Sequence, residues 1–188
     1  MPKIIQGLPS EFELSQIHQV VSMFKAEWPH GFEGDNSLRD WIHPECDSPY
    51  YLMLCEDCKV LAHTSVLSRN FSFESQDDIC IQGLSGVITS DGLRGKGLGS
   101  QLVARASHHI FESKNLDLGM FNCDFKHIAF YEKLGWLELK DLRLEFGEFA
   151  PFEACDEATM YRVFSAQGQR FLDDCLKKGS LYFGNYLW

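Results

Sequence analysis

The sequence predicts an α+β fold with a mixed β-sheet, and three observations support this. Apolar residues at helical spacing near the start of the chain predict an amphipathic helix. Two runs rich in strand-forming residues flank a tight turn at Glu56-Asp57, which predicts an antiparallel hairpin. A third such run ends in a glycine-rich turn and an amphipathic segment, which predicts a strand that feeds a helix. Antiparallel neighbours combined with a strand-to-helix connection are typical of a mixed sheet.

The elements follow one another in a regular order along the chain. Pro9-Ser10 begins the first helix, expected over residues 11–28, and Pro29 ends it. A short helical turn is expected at residues 38–42. The other predictions are strands at residues 50–55, 59–68, 79–89, 116–122, 136–144 and 160–165, and helices at residues 97–114, 127–134 and 169–178.

Length and composition predict one globular domain that spans residues 1–188. An apolar content of 45% with 13% aromatic residues is enough for a sizeable core. We expect a cytoplasmic protein that contacts no membrane, because the sequence has neither a secretory signal nor an apolar run of bilayer length. The net charge of -10 argues against nucleic acid as a partner and favours cationic or neutral ones.

The seven cysteines are expected to be reduced thiols, because the count is odd and no secretory signal accompanies them. Cys55 and Cys58 form a C-x-x-C pair without the second pair that a zinc site needs. The sequence therefore predicts no metal site.

The turn after the third predicted strand has the features of an anion site. Gly95, Gly97 and Gly99 leave the backbone free of Cβ atoms, so successive N–H groups and the start of the next helix can face one phosphate. Arg94 and Lys96 add positive charge. A glycine-rich turn without any ligand is the alternative.

Two other phosphate-binding motifs do not fit this turn. A P-loop requires Lys and then Ser or Thr after its second glycine, whereas Gly97 is followed by Leu98. A dinucleotide-binding turn requires a third glycine where Leu102 stands and an acid at the end of the next strand, whereas Asp117 lies at that strand's start. Nucleoside triphosphates and dinucleotides are therefore not expected.

The pattern Arg94-x-x-Gly97-x-Gly99 after an apolar strand resembles the pyrophosphate loop of the GNAT superfamily of acetyl-CoA-dependent N-acetyltransferases. A second match, at residues 129–136, resembles the late helix of that family, whose tyrosine is here Tyr131. The resemblance implies a single central sheet with a splay between its fourth and fifth strands and helices on both faces. It also implies acetyl-CoA as cofactor, held by the backbone of Val87, Ile88 and Thr89 and by Arg94, Gly95, Lys96, Gly97, Leu98, Gly99 and Ser100.

Within that superfamily the chain is most similar to the aminoglycoside 2'-N-acetyltransferases. The similarity runs from Gly34-Asp35 to the C-terminal Trp188 and includes Gly135-Trp136. It implies an acidic pocket for a polycationic sugar, lined by Asp35, Asp40, either Asp156 or Glu157, and the Trp188 carboxylate. For each side-chain carboxylate, a solvated loop position without a ligand is the alternative.

One departure from the family pattern concerns proton removal. The glutamate that the family places before Gly86-Val87 aligns with Ser85, whose hydroxyl is not a base near neutral pH. Another acid, a chain of water molecules or a different acceptor must then account for the lost proton. Asp124, where the resemblance implies a serine, is our candidate for the missing carboxylate.

The resemblance assigns to Tyr131 the protonation of the departing thiolate. Reference pKa values of about 10 for tyrosine and about 8.5 for a thiol make full transfer uphill by roughly 2 kcal/mol. We therefore expect Tyr131 to act as a hydrogen-bond donor that transfers its proton late. Ordinary core packing beside Phe130 is the alternative.

The sequence thus predicts a small-molecule N-acetyltransferase for a cationic amine, such as an aminoglycoside or a related amino sugar. A protein lysine or N-terminal acetyltransferase and a noncatalytic acyl-CoA-binding protein are the alternatives. The aromatic tail at residues 181–188 fits either a homodimer contact or packing on a sheet edge.

Overall fold

The computed structural model describes residues 1–73 and 76–188, without the side chains of residues 35, 72, 73, 76 and 77. Its α-helices are α1 (Leu14–Glu27), α2 (Leu98–Phe111), α3 (Ile128–Glu132) and α4 (Ala166–Lys178). Its strands are β1 (Lys3–Gly7), β2 (Tyr50–Glu56), β3 (Lys59–Phe73), β4 (Gln76–Thr89), β5 (Leu118–Cys123), β6 (Leu137–Leu139), β7 (Arg143–Phe146), β8 (Glu153–Ala154), β9 (Ala158–Val163) and β10 (Ser180–Gly184).

The chain divides into two compact units, the first of which comprises residues 1–67 and 84–109. Its strands follow the order β1-β2-β3-β4. β1 and β3 both pair antiparallel with β2, so that Met53 lies opposite Ile5 on one side and His63 on the other. α1 packs Val20, Val21 and Phe24 into the apolar cluster that contains Met53. Burial of this face of α1 stabilises the helix on the sheet.

The second unit comprises residues 68–83 and 110–188. β4 and β5 are parallel and pair at Ile81 with Leu118 and at Gln82 with Gly119, although β4 runs on to Thr89 and β5 to Cys123. β9 pairs antiparallel with both β5 and β6. A second sheet has the order β10-β7-β8, with a parallel β10–β7 pair. In the part of the chain that is described, no helix is long and apolar enough to cross a membrane.

Local sequence explains where two of the helices begin and end. At the start of α1, Glu13 N–H donates to Oε1 of Gln16 at 3.0 Å, as in a capping box. At the start of α4, the Ser165 hydroxyl accepts from Gly168 N–H at 2.9 Å. Gly179 ends α4 in the left-handed conformation, with φ of 77°.

The predicted α+β class, with a mixed sheet and a helix after the glycine turn, is confirmed. Its predicted strands and helices recur with shifted ends, except in a few places. The first helix begins at Leu14, because residues 9–11 form a separate 3₁₀ turn. The helical turn expected at residues 38–42 lies earlier, as a 3₁₀ helix at Gly34–Leu38.

The single strand predicted over residues 136–144 was wrong. The chain forms β6 and β7 there, and these strands belong to different sheets. Asp141, between them, has a left-handed φ of 65°, which breaks an extended strand. β1 and β10 were not predicted. The expectation that residues 1–188 form one domain stays a prediction.

Candidate functional site

The glycine turn joins β4 to α2 in the first unit. Gly97 O accepts the N–H of Gln101 at 3.1 Å, so the helix begins directly after the turn. The residues from Arg94 to Gly97 are exposed. The first N–H groups of α2 therefore lie at an accessible helix end, where the helix dipole favours an anion.

Two glycines give the turn its shape. Gly95 and Gly97 have φ values of +77° and +79°, and a Cβ on either would meet no atom within 4 Å. A side chain at these positions would thus strain the backbone without colliding with the protein. This bare, open backbone fits a phosphate group. The residues present are therefore suited to the diphosphate of a coenzyme A molecule.

The two cations of the turn have different surroundings. Arg94 forms an ion pair with Glu27 of α1, and its guanidinium is 3.4 Å from Asp91. Hydrogen bonding to Glu27 raises the pKa of Arg94, and the negative charge of that carboxylate raises it further. Lys96 has no ion-pair partner among the described residues. Lys96 is thus free for an anion, whereas Arg94 would first have to leave Glu27.

Upstream of the turn, Gly86 of β4 has a left-handed φ of +57°. The Ser85 carbonyl accepts from the Thr64 hydroxyl at 3.3 Å, and the Gly86 carbonyl lies 3.0 Å from His63 Nδ1. A Cβ on Gly86 would collide with the Phe24 ring and lie 3.2 Å from Nε2 of His43. Only glycine fits this conformation and space together.

Two histidines beside Gly86 are neutral near pH 7. Burial lowers the pKa of His63 to about 4, although its hydrogen bond to Gly86 opposes the shift. Burial also lowers the pKa of His43, and the charges of His63 and then Arg39 lower it further. Nε2 of His43 is buried without a hydrogen-bond partner in the described part of the chain.

Tyr131 belongs to α3 in the second unit and is only 6% exposed. Its ring packs edge-on against Phe121 and Phe130, at centroid distances of 4.8 and 4.9 Å. Its hydroxyl makes no hydrogen bond within the described residues. Burial raises its pKa, and Cys123 and then Glu157 raise it further. Tyr131 therefore stays protonated and can donate a hydrogen bond.

Three acids of the second unit differ in how firmly they are held. Asp124 accepts from the backbone N–H of Lys126 at 3.0 Å and pairs with its ammonium at 2.6 Å. These hydrogen bonds lower the pKa of Asp124, which makes it a weak base. Asp156 and Glu157 have no side-chain partner among the described residues. Burial raises the pKa of Glu157, with Asp156 and Asp124 adding to the shift.

Asn122 and Trp188 are two further polar residues of the second unit. Asn122 N–H donates to the Trp188 carbonyl oxygen at 3.3 Å, so the last residue extends along β5. The side-chain amide of Asn122 donates to Cys155 Sγ and Thr159 Oγ1, at 3.2 and 3.1 Å. Asn122 Oδ1 and Trp188 Nε1 are buried and unpaired in the described part of the chain. Sequence reasoning missed Asn122 because nothing local in the sequence marks an unpaired oxygen.

The early aspartates are less informative. Asp40 is exposed and has no ion-pair partner within the described residues. The side chain of Asp35 lies outside the described residues. No group of three or more potential metal ligands was found where the chain is described.

The fold is that of N-acetyltransferases. ElaA from Escherichia coli superposes with a TM-score of 0.58 at 16% identity, covering 86% of this chain and 99% of that one. An aminoglycoside 6'-N-acetyltransferase complexed with coenzyme A gives 0.56 at 12% identity, covering 86% and 96%. NAA60 from Arabidopsis thaliana, in complex with acetyl-CoA, gives 0.59 at 6% identity, covering 87% and 99%. At such identities the likeness shows the fold alone.

The family model for the Acetyltransferase (GNAT) family matches residues 17–136. The chain therefore belongs to the GNAT acetyltransferase family, and no curated protein matches it significantly. It is an acyltransferase with acetyl-CoA as its cosubstrate, which confirms the predicted class and cofactor. The roles of individual residues stay predictions.

Proposed function

We propose that the chain acetylates a small cationic amine, and that aminoglycosides and related amino sugars are the acceptor class. The observation that carries this proposal is the group formed by Asp124, Asp156 and Glu157. Burial raises the pKa of Glu157, and the charges of Asp156 and Asp124 raise it further. The carboxylates of Asp156 and Glu157 have no partner among the described residues, and an ammonium group of the acceptor would be such a partner. A cation bound there would relieve the repulsion between them.

Amine basicity favours a sugar amine over an alkylamine. An alkylamine with a pKa of about 10 needs roughly 4 kcal/mol to lose its proton at neutral pH. Amino sugars are less basic, so they reach the reactive free amine at lower cost. A sugar ammonium bound by these carboxylates therefore loses its proton more easily than a bound alkylammonium would.

The proposed roles follow the predicted site residues. The backbone of Val87, Ile88 and Thr89 pairs with the amide arm of the cofactor. Its diphosphate is held by the turn residues Arg94, Gly95, Lys96, Gly97, Leu98, Gly99 and Ser100. Bound acetyl-CoA supplies an activated thioester acyl group. Asp35, Asp40, Asp156, Glu157 and the Trp188 carboxylate attract the acceptor.

Tyr131 is proposed as the hydrogen-bond donor to the departing sulfur. Its hydroxyl is free of other partners in the described residues, and its raised pKa keeps it protonated. Tyr131→Phe should lower kcat about 10- to 100-fold with little change in acetyl-CoA affinity. Equal losses in kcat and in affinity, measured by steady-state kinetics and calorimetry, would instead indicate a structural role.

The acceptor class can be tested with a thiol-release assay. Purified protein and acetyl-CoA are mixed with an aminoglycoside, glucosamine, spermidine or a lysine peptide, and free thiol is measured over time. The proposal expects the highest kcat/KM for the aminoglycoside or the amino sugar. A preference for the lysine peptide would overturn it, and so would acetyl-CoA binding without turnover of any amine.

A further inference from the structure

An acceptor amine must lose a proton, and Ser85 does not offer a base where the family resemblance implies one. Its carbonyl oxygen is bound by Thr64, and a serine hydroxyl is not ionised near neutral pH. In the second unit, the hydrogen bonds from Lys126 weaken Asp124 as a base. Neither Ser85 nor Asp124 is therefore well suited to accept the proton of the amine.

Glu157 is better suited to this role. The residue is exposed and so can be reached by an acceptor, and its carboxylate has no hydrogen-bond or ion-pair partner in the described residues. Partial burial raises the pKa of that carboxylate, followed by the charges of Asp156 and Asp124. A general base works best when its pKa lies near the working pH, so a raised value favours catalysis.

A second observation, independent of the acids, is an unpaired buried acceptor on a residue that shares a contact with Glu157. Cys155 Sγ links Asn122 to Glu157, because it accepts from Asn122 Nδ2 at 3.2 Å and from Glu157 N–H at 3.4 Å. Asn122 is 9% exposed, and its Oδ1 has no donor among the described residues. A buried carbonyl oxygen without a donor costs about 1–3 kcal/mol, which a ligand N–H would recover.

The hydroxyl of Tyr131 belongs to the same group. The charge of Glu157 contributes to the raised pKa of this hydroxyl, after burial and Cys123, and both residues belong to the second unit. Tyr131 and Glu157 thus form a pair of a proton donor and a proton acceptor within one unit. Acetyl transfer to an amine needs both functions.

We propose that Glu157 takes the proton of the acceptor amine while Asn122 Oδ1 accepts a hydrogen bond from the same nitrogen. This assignment rests on the proposed cationic acceptor. The N–H bond of the ammonium group breaks, and its electron pair stays on nitrogen. The proton forms an O–H bond with the Glu157 carboxylate, which becomes neutral. The lone pair on nitrogen is then free to attack an acyl carbon.

The test compares Glu157→Gln with Glu153→Gln, which makes the same change on an exposed residue of β8. Steady-state kinetics are measured from pH 6 to pH 10 with the best acceptor of the thiol-release panel. At neutral pH, Glu157→Gln should lower kcat about 100-fold, with unchanged acetyl-CoA affinity by calorimetry. The deficit should shrink below about tenfold near the pKa of the amine, where no base is needed. Glu153→Gln should match the parent chain.

Asn122→Ala gives a second readout. It should raise KM for the amine about tenfold, while the pH dependence of kcat stays that of the parent chain. Two results would overturn the role of Glu157 without affecting the proposed acceptor class. One is a loss of kcat in Glu157→Gln that is no larger than the loss in Glu153→Gln. The other is a loss of kcat in Glu157→Gln that is the same at every pH. Absence of both binding and turnover of every amine by the parent chain would overturn the proposed acceptor class and this role together.

Discussion

The buried histidine beside Gly86 of β4 should make the protein sensitive to mild acid. His63 is fully buried, and its Nδ1 must donate to Gly86 O at 3.0 Å because a carbonyl oxygen only accepts. Its Nε2 therefore accepts from the Ser65 hydroxyl at 3.2 Å. A second proton on the ring would reverse that hydrogen bond, so that the Ser65 hydroxyl accepts it, and would bury a charge.

The size of the effect follows from the pKa of His63. Burial lowers it from 6.5 to about 4 in the folded chain. Between these values the unfolded chain binds the proton and the folded chain does not, so the free energy of unfolding falls as the pH falls. The shift corresponds to about 3 kcal/mol, present above pH 6.5 and lost by about pH 4. His43 acts in the same direction, because its pKa is also lowered.

Urea unfolding monitored by circular dichroism between pH 7.5 and pH 4 measures this loss. His63→Asn keeps an N–H donor in the position of Nδ1 but does not titrate. It should be less stable at pH 7.5, because the ring contacts with Phe24 and Tyr51 are lost, and its stability should fall less with acid. His18→Asn, on an exposed face of α1, is the matched control. The reasoning fails if His63→Asn and His18→Asn lose the same free energy between pH 6.5 and pH 4.

Three further variants test the β4–α2 region. Gly86→Ala should lower the free energy of unfolding by about 3 kcal/mol, because it adds left-handed strain to a collision in the core. Gly95→Ala should cost about 1–2 kcal/mol of stability and weaken acetyl-CoA binding by calorimetry, whereas Gly95→Asn should retain more of both because asparagine tolerates a positive φ. Glu27→Gln should tighten acetyl-CoA binding up to about fivefold, because Arg94 no longer has to leave an ion pair.

Each of these variants has an outcome that would contradict the argument. Gly31→Ala, where a Cβ would meet no atom within 4 Å, is the control for Gly86→Ala and should change stability by less than about 0.5 kcal/mol. Equal effects of the two would mean that the backbone and the space at Gly86 do not require glycine. Acetyl-CoA binding that is unchanged by Gly95→Ala would argue against the turn as the phosphate site. Weaker binding of acetyl-CoA by Glu27→Gln would show that the ion pair supports the site.

The glycine turn was predictable because its information is local. The predicted turn and the helix after it are both present: Gly95 and Gly97 have positive φ values, and α2 begins directly after them. The family motif placed Tyr131 on a short helix near a turn, where it lies. A few adjacent residues are enough to specify such features.

Other features depend on residues that are distant in sequence. The break between β6 and β7 reflects the pairing of β7 with β10, a strand that lies more than 30 residues further along the chain. Asp124 is the sequence's candidate for the missing carboxylate, because it stands where the family resemblance implies a serine. Its ion pair with Lys126 became visible only in three dimensions and weakens that assignment. The unpaired oxygen of Asn122 depends on Cys155 and Thr159, more than 30 residues away.

The ion pair between Arg94 and Glu27 also bears on how ionic strength affects the protein. If a phosphate binds Arg94, that guanidinium exchanges one anion for another, so dissolved salt screens the contact that is lost as well as the one that is gained. Lys96 has no such partner among the described residues, so it gains a contact with the phosphate without losing an ion pair. The salt dependence of acetyl-CoA binding should therefore correspond to about one cation, although the turn carries two.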